Sequence, residues 1–326
     1  MTRPVYFDCD TGVDDSMALA YLLASPEIEL VGIGGVHGNV SAAQGVQNTL
    51  RLLALAERTD VPVAVGENDP LVGQFAGGAP HVHGANGIGD IELPETTATA
   101  IDEDAADLLL RLSHEHDGTL EIIAVGPLTN LALALERDAE LASRVTQVTV
   151  MGGAALVPGN ITPLAEANIA HDPEAAQAVV TASWPVTLVP LDTTLANVID
   201  ETERERLCAA EAPIVRAVGA ALDYYFDFYV AEYGRRCSAL HDPLAAAIAV
   251  GGMLPRVAPA VPVEVDVTDG PGRGQTVCDL RGQRLGPVDR DGANVRVVLE
   301  TEGTLAPHMV ERLLSLTAPS LEANGA

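Results

Sequence analysis

The chain has 326 residues, 48% apolar and only 3% aromatic, enough apolar material to build one large domain core from small aliphatic side chains. A net charge of -28 and a pI near 4.4 exclude counterion-release binding to nucleic acid and attraction to anionic lipid, and because the sequence has no lysine, any mechanism that needs one is excluded too. Cys9, Cys208, Cys237 and Cys278 show neither zinc-site spacing nor scaffold density, and no apolar run reaches spanning length, which predicts a cytoplasmic protein with reduced thiols.

In chain order, short apolar runs alternate with longer helical patterns. The pattern predicts a strand at Val5–Asp8, a helix over Asp14–Ala24, a strand at Ile28–Gly34, a helix over Ser41–Glu57 and a strand at Val63–Val65. A helix near Asp104–His114, a strand at Leu120–Val125, a helix from about Pro127 and a strand at Val145–Met151 continue it. Then come a helix at Pro173–Ala182, a strand at Val186–Val189 and helices within 203–232. Residues 255–290 are rich in proline and glycine and read as an irregular β excursion, before a last strand near Val295–Leu299 and a helix over Leu305–Leu316. Such alternation predicts a single α/β domain over 1–326, an open, mainly parallel, Rossmann-like sheet flanked by helices on both faces. Open sheets of this kind bind ligands at strand carboxyl ends, so the turns "GGVHGN", "GPLTN" and "MGGAALVPGN" become candidate site loops.

The densest chemical signal is "FDCDTGVDD", which places Asp8, Asp10, Asp14 and Asp15 in one strand-to-helix turn. Helix amide dipoles offset part of that charge, and a hard cation resolves the rest; oxygen donors without histidine or cysteine favour calcium or magnesium over zinc. The plain alternative is a solvated helix start with acids in its first turn. An EF-hand is excluded, since counting from Asp8 puts Val13 at the sixth and Leu19 at the twelfth position. A GxGxxG dinucleotide loop is not formed by "GIGGVHG". "FDCDT" also fits a haloacid-dehalogenase-type phosphatase with Asp8 as nucleophile, although the missing lysine and the extra acids of "GVDD" oppose a phosphoryl group.

"DCDTGVDD" resembles the DTDPGxDD signature of the inosine–uridine-preferring nucleoside hydrolases. Further pieces follow in order: "HGN" at His37–Asn39, "VGPLTN" at Val125–Asn130, "VMGG" at Val150–Gly153, "GN" at Gly159–Asn160, "EAN" at Glu166–Asn168, "DPEAA" at Asp172–Ala176 and "HDPLA" at His241–Ala245. The resemblance implies hydrolysis of the N-glycosidic bond of free ribonucleosides to ribose and base, as in nucleoside salvage. It implies a calcium ion on Asp10, Asp15, Asp242 and the Val125 carbonyl, with Asp8 in support. Asp10 would take the proton of a water held on that ion, and His241 would assist the departing base.

By the same resemblance Asp14 and Asn168 hold the 2′- and 3′-hydroxyls, Asn39 supports the ribose, Asn160 and Glu166 hold the 5′-hydroxyl, and Met151 belongs to the substrate pocket. His83 would lie on a flap over the base, or else on a plain surface loop. Tyr225 and Tyr229 are four apart on one helix face and would touch the base or pack the core. A homodimer or homotetramer is implied as well. Cys9, Thr11 and Ala167 depart from the family pattern; Ala167, where an aromatic residue is common, re-lines the ribose pocket. A metal-dependent ribose-binding protein without turnover is the non-enzymatic alternative.

Overall fold

The structure, a computed structural model, describes residues 2–317. Strand β1 (Arg3–Cys9) is followed by α1 (Val13–Leu23), β2 (Ile28–Gly35), α2 (Ala42–Leu55), the short β3 (Val63–Val65) and the single-turn α3 (Pro80–His83). Next come α4 (Ala105–Glu115), β4 (Leu120–Ala124), α5 (Thr129–Arg137), α6 (Leu141–Arg144) and β5 (Val145–Met151). The chain continues through α7 (Ala167–His171), α8 (Pro173–Thr181), β6 (Val186–Val189), α9 (Leu191–Thr194), β7 (Val198–Asp200), α10 (Glu201–Cys208), α11 (Pro213–Tyr233), β8 (Cys237–Ala239) and α12 (His241–Val250). It closes with β9 (Pro255–Val257), β10 (Ala260–Val261), β11 (Val263–Val265), β12 (Thr276–Cys278), β13 (Val295–Val297), β14 (Glu300–Thr301) and α13 (Leu305–Leu314).

Eight strands form the main sheet in the order β10-β13-β6-β5-β4-β1-β2-β3, parallel throughout except at the β10 edge. Side-chain alternation along β1 decides what each face receives. Val5, Phe7 and Cys9 enter a core shared with α1, α2, α11, α12 and α13, whereas Tyr6 enters a second core under α4, α5 and α8. Helices therefore cover both faces, as parallel sheets require. Trp184, fully buried in the second core, donates its ring N–H to Val179 O at 2.9 Å.

The predicted elements recur with ends shifted by a few residues, and the structure adds some. Residues 255–290 are more than an excursion, since β10 joins the main sheet and β11 pairs with β12 in a side hairpin. Val295–Val297 is not the last strand; β14 follows it and pairs with β9. Helix α12 went unpredicted because "PLAAAIAV" is apolar on every side and carries no amphipathic period, a pattern that fits its burial between the sheet and α1. Among the described residues no helix is long and apolar enough to cross a membrane.

Candidate active site

Strand order reverses beside β1, where β2 and β3 lie on one side and β4 to β6 on the other. Ligands of open α/β sheets bind at that crevice. The loop after β1 carries Asp10, α1 starts with Asp14 and Asp15, Val125 follows β4, and Asp242 opens α12. Asp14, Asp15 and Asp242 each bring a carboxylate oxygen within 4.8 Å of the others, and all are buried. Asp10 borders this group, its carboxylate interacting with that of Asp15. The tightest trio thus includes Asp14, expected at the sugar, in place of Asp10.

Backbone donors orient Asp15 and Asp10, and a tyrosine hydroxyl orients Asp14. Asp15, at the third position of α1, accepts from Gly12 N at 2.8 Å and Asp10 N at 3.1 Å, and Asn39 Nδ2 adds a bond of 3.1 Å. Asp10 Oδ2 accepts from Asn39 N at 2.6 Å, while its buried Oδ1 has no partner and faces the Gly126 turn. Asp14 Oδ2 accepts from the Tyr225 hydroxyl at 3.0 Å, and its Oδ1 is likewise buried without a partner. Gly38 admits Asp10, since a Cβ there would lie 2.0 Å from Asp10 Oδ2. Its φ of +153° also favours glycine.

Asp8 points away from this crevice. It is fully buried and accepts from the Tyr6 hydroxyl at 2.8 Å and Asn130 Nδ2 at 3.1 Å, so it cannot reach a phosphorus atom and the phosphatase alternative is discarded. Asn130 also binds Gly35 O and Glu67 N, which ties the ends of β1 and β2 to α5.

On the other side of Asp10, Asn168 Nδ2 donates to Val125 O at 2.8 Å and to Met151 O at 3.2 Å, drawing three expected residues together. Glu166 is taken up by the backbone: it caps α7 and accepts from Asn168 N, Ile169 N and Gly153 N. Burial nevertheless pushes its carboxyl up to about 7 against those three bonds. Asn160 is exposed on the loop before α7, with its Oδ1 on Ala167 N at 2.9 Å.

A wall of rings stands opposite. His83 is 5% exposed, and its Nδ1 accepts from Val13 N at 3.1 Å, so it does not sit on an open surface loop. Burial pulls its pKa down to about 3, so its 3.8 Å approach to Asp14 is not an ion pair. The Tyr225 ring lies 5.2 Å from that of His83 and 5.0 Å, edge on, from that of Tyr229. The Tyr229 hydroxyl is 2.8 Å from His241 Nε2, and Thr194 Oγ1 is 2.7 Å from His241 Nδ1. The two tyrosines therefore pack and hydrogen-bond at once. Thr194 was missed because nothing in "LDTTLAN" marks it.

The electrostatics of the crevice are unbalanced as they stand. Burial raises the pKa of Asp10, Asp14 and Asp242 and pushes Asp15 to about 7, and repulsion from neighbouring aspartates adds to the rise at Asp10, Asp15 and Asp242. Among the described residues no arginine pairs with any of these acids, and two of their buried oxygens have no partner. Hard carboxylate donors with vacant lone pairs at this spacing fit a divalent cation of the calcium or magnesium type.

The crevice and its buried acids form a candidate divalent-cation site at the switch point of a doubly wound sheet, and comparison gives the class. Residues 5–305 match the model of the family "inosine-uridine preferring nucleoside hydrolase". Uridine nucleosidase 1 of Arabidopsis thaliana is 38% identical over 238 residues, 73% of this chain and 71% of that protein. A pyrimidine-specific ribonucleoside hydrolase of Enterobacter sp. (strain 638) is 37% identical over 76% of this chain and 79% of its own. The structure of a purine-preferring ribonucleoside hydrolase from Gardnerella vaginalis superposes with a TM-score of 0.87 at 32% identity, covering 96% of this chain and 99% of that one. The chain belongs to the inosine–uridine preferring nucleoside hydrolase family. It is an enzyme that hydrolyses the N-glycosidic bond of ribonucleosides.

Proposed function

We propose that the chain cleaves free ribonucleosides to ribose and base with calcium held by Asp10, Asp15, Asp242 and the Val125 carbonyl, Asp10 as general base and His241 assisting the leaving base. The unpartnered, buried Oδ1 of Asp10 carries this reading, because its other oxygen is already fixed by Asn39 N. A bound divalent ion would offset the clustered negative charge, acidify a water and orient the ribose hydroxyls. Asp10 Oδ1 is left to accept the proton of the attacking water.

Cleavage develops positive charge on the sugar ring, which the surrounding carboxylates stabilise. Asp14 Oδ1 and the Asn168 side-chain oxygen accept from the 2′- and 3′-hydroxyls, while the Tyr225 hydroxyl holds Asp14 in place. Asn160, Glu166 and Met151 border the 5′ side, and Ala167 beside them leaves more room than an aromatic residue would. The leaving base meets His83, Tyr229 and His241. Burial lowers the pKa of His241 against the opposing pull of the Asp14 charge, and the Tyr229–His241 pair offers hydrogen bonds to the departing base. The four free cysteines accord with a cytoplasmic setting.

The test is ribose release, measured as reducing sugar, from inosine, uridine, cytidine and adenosine. At least one is turned over, and its 2′-deoxy analogue is rejected by about 10⁴-fold because ligands built for the hydroxyl are left unpaired. No ribose from any of the four contradicts the reading. The same panel assigns base preference, which the differently named relatives divide between them.

Gly12 offers a check on the flap. Its φ of -90° suits any residue, but a Cβ would lie 2.6 Å from both Asn39 Nδ2 and His83 Nδ1. Gly12→Ala is expected to fold normally by circular dichroism and to lose about 10- to 100-fold in kcat/KM, as misplacements near 1 Å do. Unchanged kinetics would remove Asn39 and His83 from the working site.

A further inference from the structure

The His241 ring is held at both nitrogens, by the Tyr229 hydroxyl on Nε2 and by Thr194 Oγ1 on Nδ1. Thr194, His241 and Tyr229 are 0%, 5% and 7% exposed, so water does not compete freely for either bond. We propose that Thr194 is a positioning residue of the hydrolase, its hydroxyl fixing the ring plane and hydrogen-bond direction of His241 so that Nε2 and Tyr229 face the departing base. This rests on the role given to His241 above.

Thr194 is itself held firmly. Its amide donates to Pro190 O at 3.2 Å, and its carbonyl accepts from Asn197 N at 3.1 Å. Asn197 then acts as a common anchor. Its Nδ2 donates to Thr193 O at 3.0 Å, its Oδ1 accepts from Leu305 N at 2.8 Å, and its carbonyl accepts from Leu240 N at 2.8 Å. The turn carrying Thr194 and the residue just before His241 are thereby fixed to one point, and the ring cannot slide away from the hydroxyl. Branching at Cβ confines the hydroxyl to few rotamers. A hydroxyl donates as well as accepts, so it satisfies Nδ1 whether or not that nitrogen carries a proton. Valine keeps the shape and offers neither.

The test compares Thr194→Val and Thr194→Ser with wild type on two substrates: the fastest nucleoside of the panel, and 4-nitrophenyl β-D-ribofuranoside, whose phenolate leaves without a proton. Thr194→Val is expected to lose about 10- to 100-fold in kcat on the nucleoside with KM within about threefold, and less than about threefold on the nitrophenyl riboside. Thr194→Ser restores most of the nucleoside rate. In a His241→Ala background, Thr194→Val has no further effect, the signature of two residues acting as a unit.

Equal losses on both substrates would make Thr194 merely structural and overturn the proposal. So would an unchanged nucleoside rate in Thr194→Val while His241→Ala is impaired. Full activity in His241→Ala would overturn the role of His241 as well. If Thr194→Val does not fold, Thr194→Ala carries the same comparison.

Discussion

Asp10→Asn is expected to lower kcat/KM for the best nucleoside by about 10³- to 10⁴-fold, the upper range for loss of a positioned general base. The substitution is nearly isosteric, and its amide oxygen can still accept from Asn39 N, which now holds Asp10 at 2.6 Å. The other atom becomes an NH₂ beside the Gly126 turn, where Oδ1 stands buried without a partner. That group cannot take a proton. Steady-state ribose release measures the loss, circular dichroism checks the fold, and the calcium content of the purified variant separates a missing base from a missing ion. Near wild-type turnover in a folded, metal-loaded Asp10→Asn would show that Asp10 is not the base.

Removal of divalent metal should produce the second large effect, and its pH dependence follows from the buried acids. Asp8 and Asp15 are raised from the ordinary carboxylate value of 3.8 to about 7, Glu166 rises from 4.5 to about 7, and Asp10, Asp14 and Asp242 are raised as well, burial being the first cause in each. Below the unfolded pKa both states are protonated. Between that value and about 7 the folded chain holds protons that the unfolded chain has released, so stability falls as pH rises through this window. In EDTA the Tm therefore drops across this window, from about pH 4 to about pH 7, and added calcium raises it more at the upper end, where it meets ionised ligands. Asp242→Asn should flatten both trends. A metal-free Tm that rises over this range, or a calcium effect that is largest at acid pH, would contradict the charge account.

Much of the site was legible because a parallel sheet gathers separated motifs at one edge. "DCDTGVDD", "VGPLTN", "VMGG" and "HDPLA" lie far apart in the chain, yet β1, β4, β5 and α12 bring them into one crevice. Pairings between them were not legible. Sequence spacing gave no means of knowing that Asp14 would sit tightest with Asp15 and Asp242, or that Glu166 would spend its oxygens on three amides. Thr194 was invisible for the same reason, since its partner lies 47 positions away.

Thr11 shows a departure that the structure accounts for. It stands where the family pattern has proline, and its hydroxyl bonds Thr49 of α2 at 2.7 Å, a cross-link that can replace the stiffness of a ring. Cys9 Sγ packs against the same hydroxyl at 3.4 Å. The loop after β1 is thus tied to α2 through side chains as well as held by its backbone bonds to Asp15.

The central claim is that acids from the first turn of the chain and from the start of α12 share one divalent ion. Anomalous diffraction from crystals grown with calcium tests it most directly. The account predicts a single strong peak bounded by Asp10, Asp15, Asp242 and the Val125 carbonyl. A crevice without a peak at saturating calcium, or an ion bound elsewhere with these carboxylates protonated and paired to one another, would contradict it.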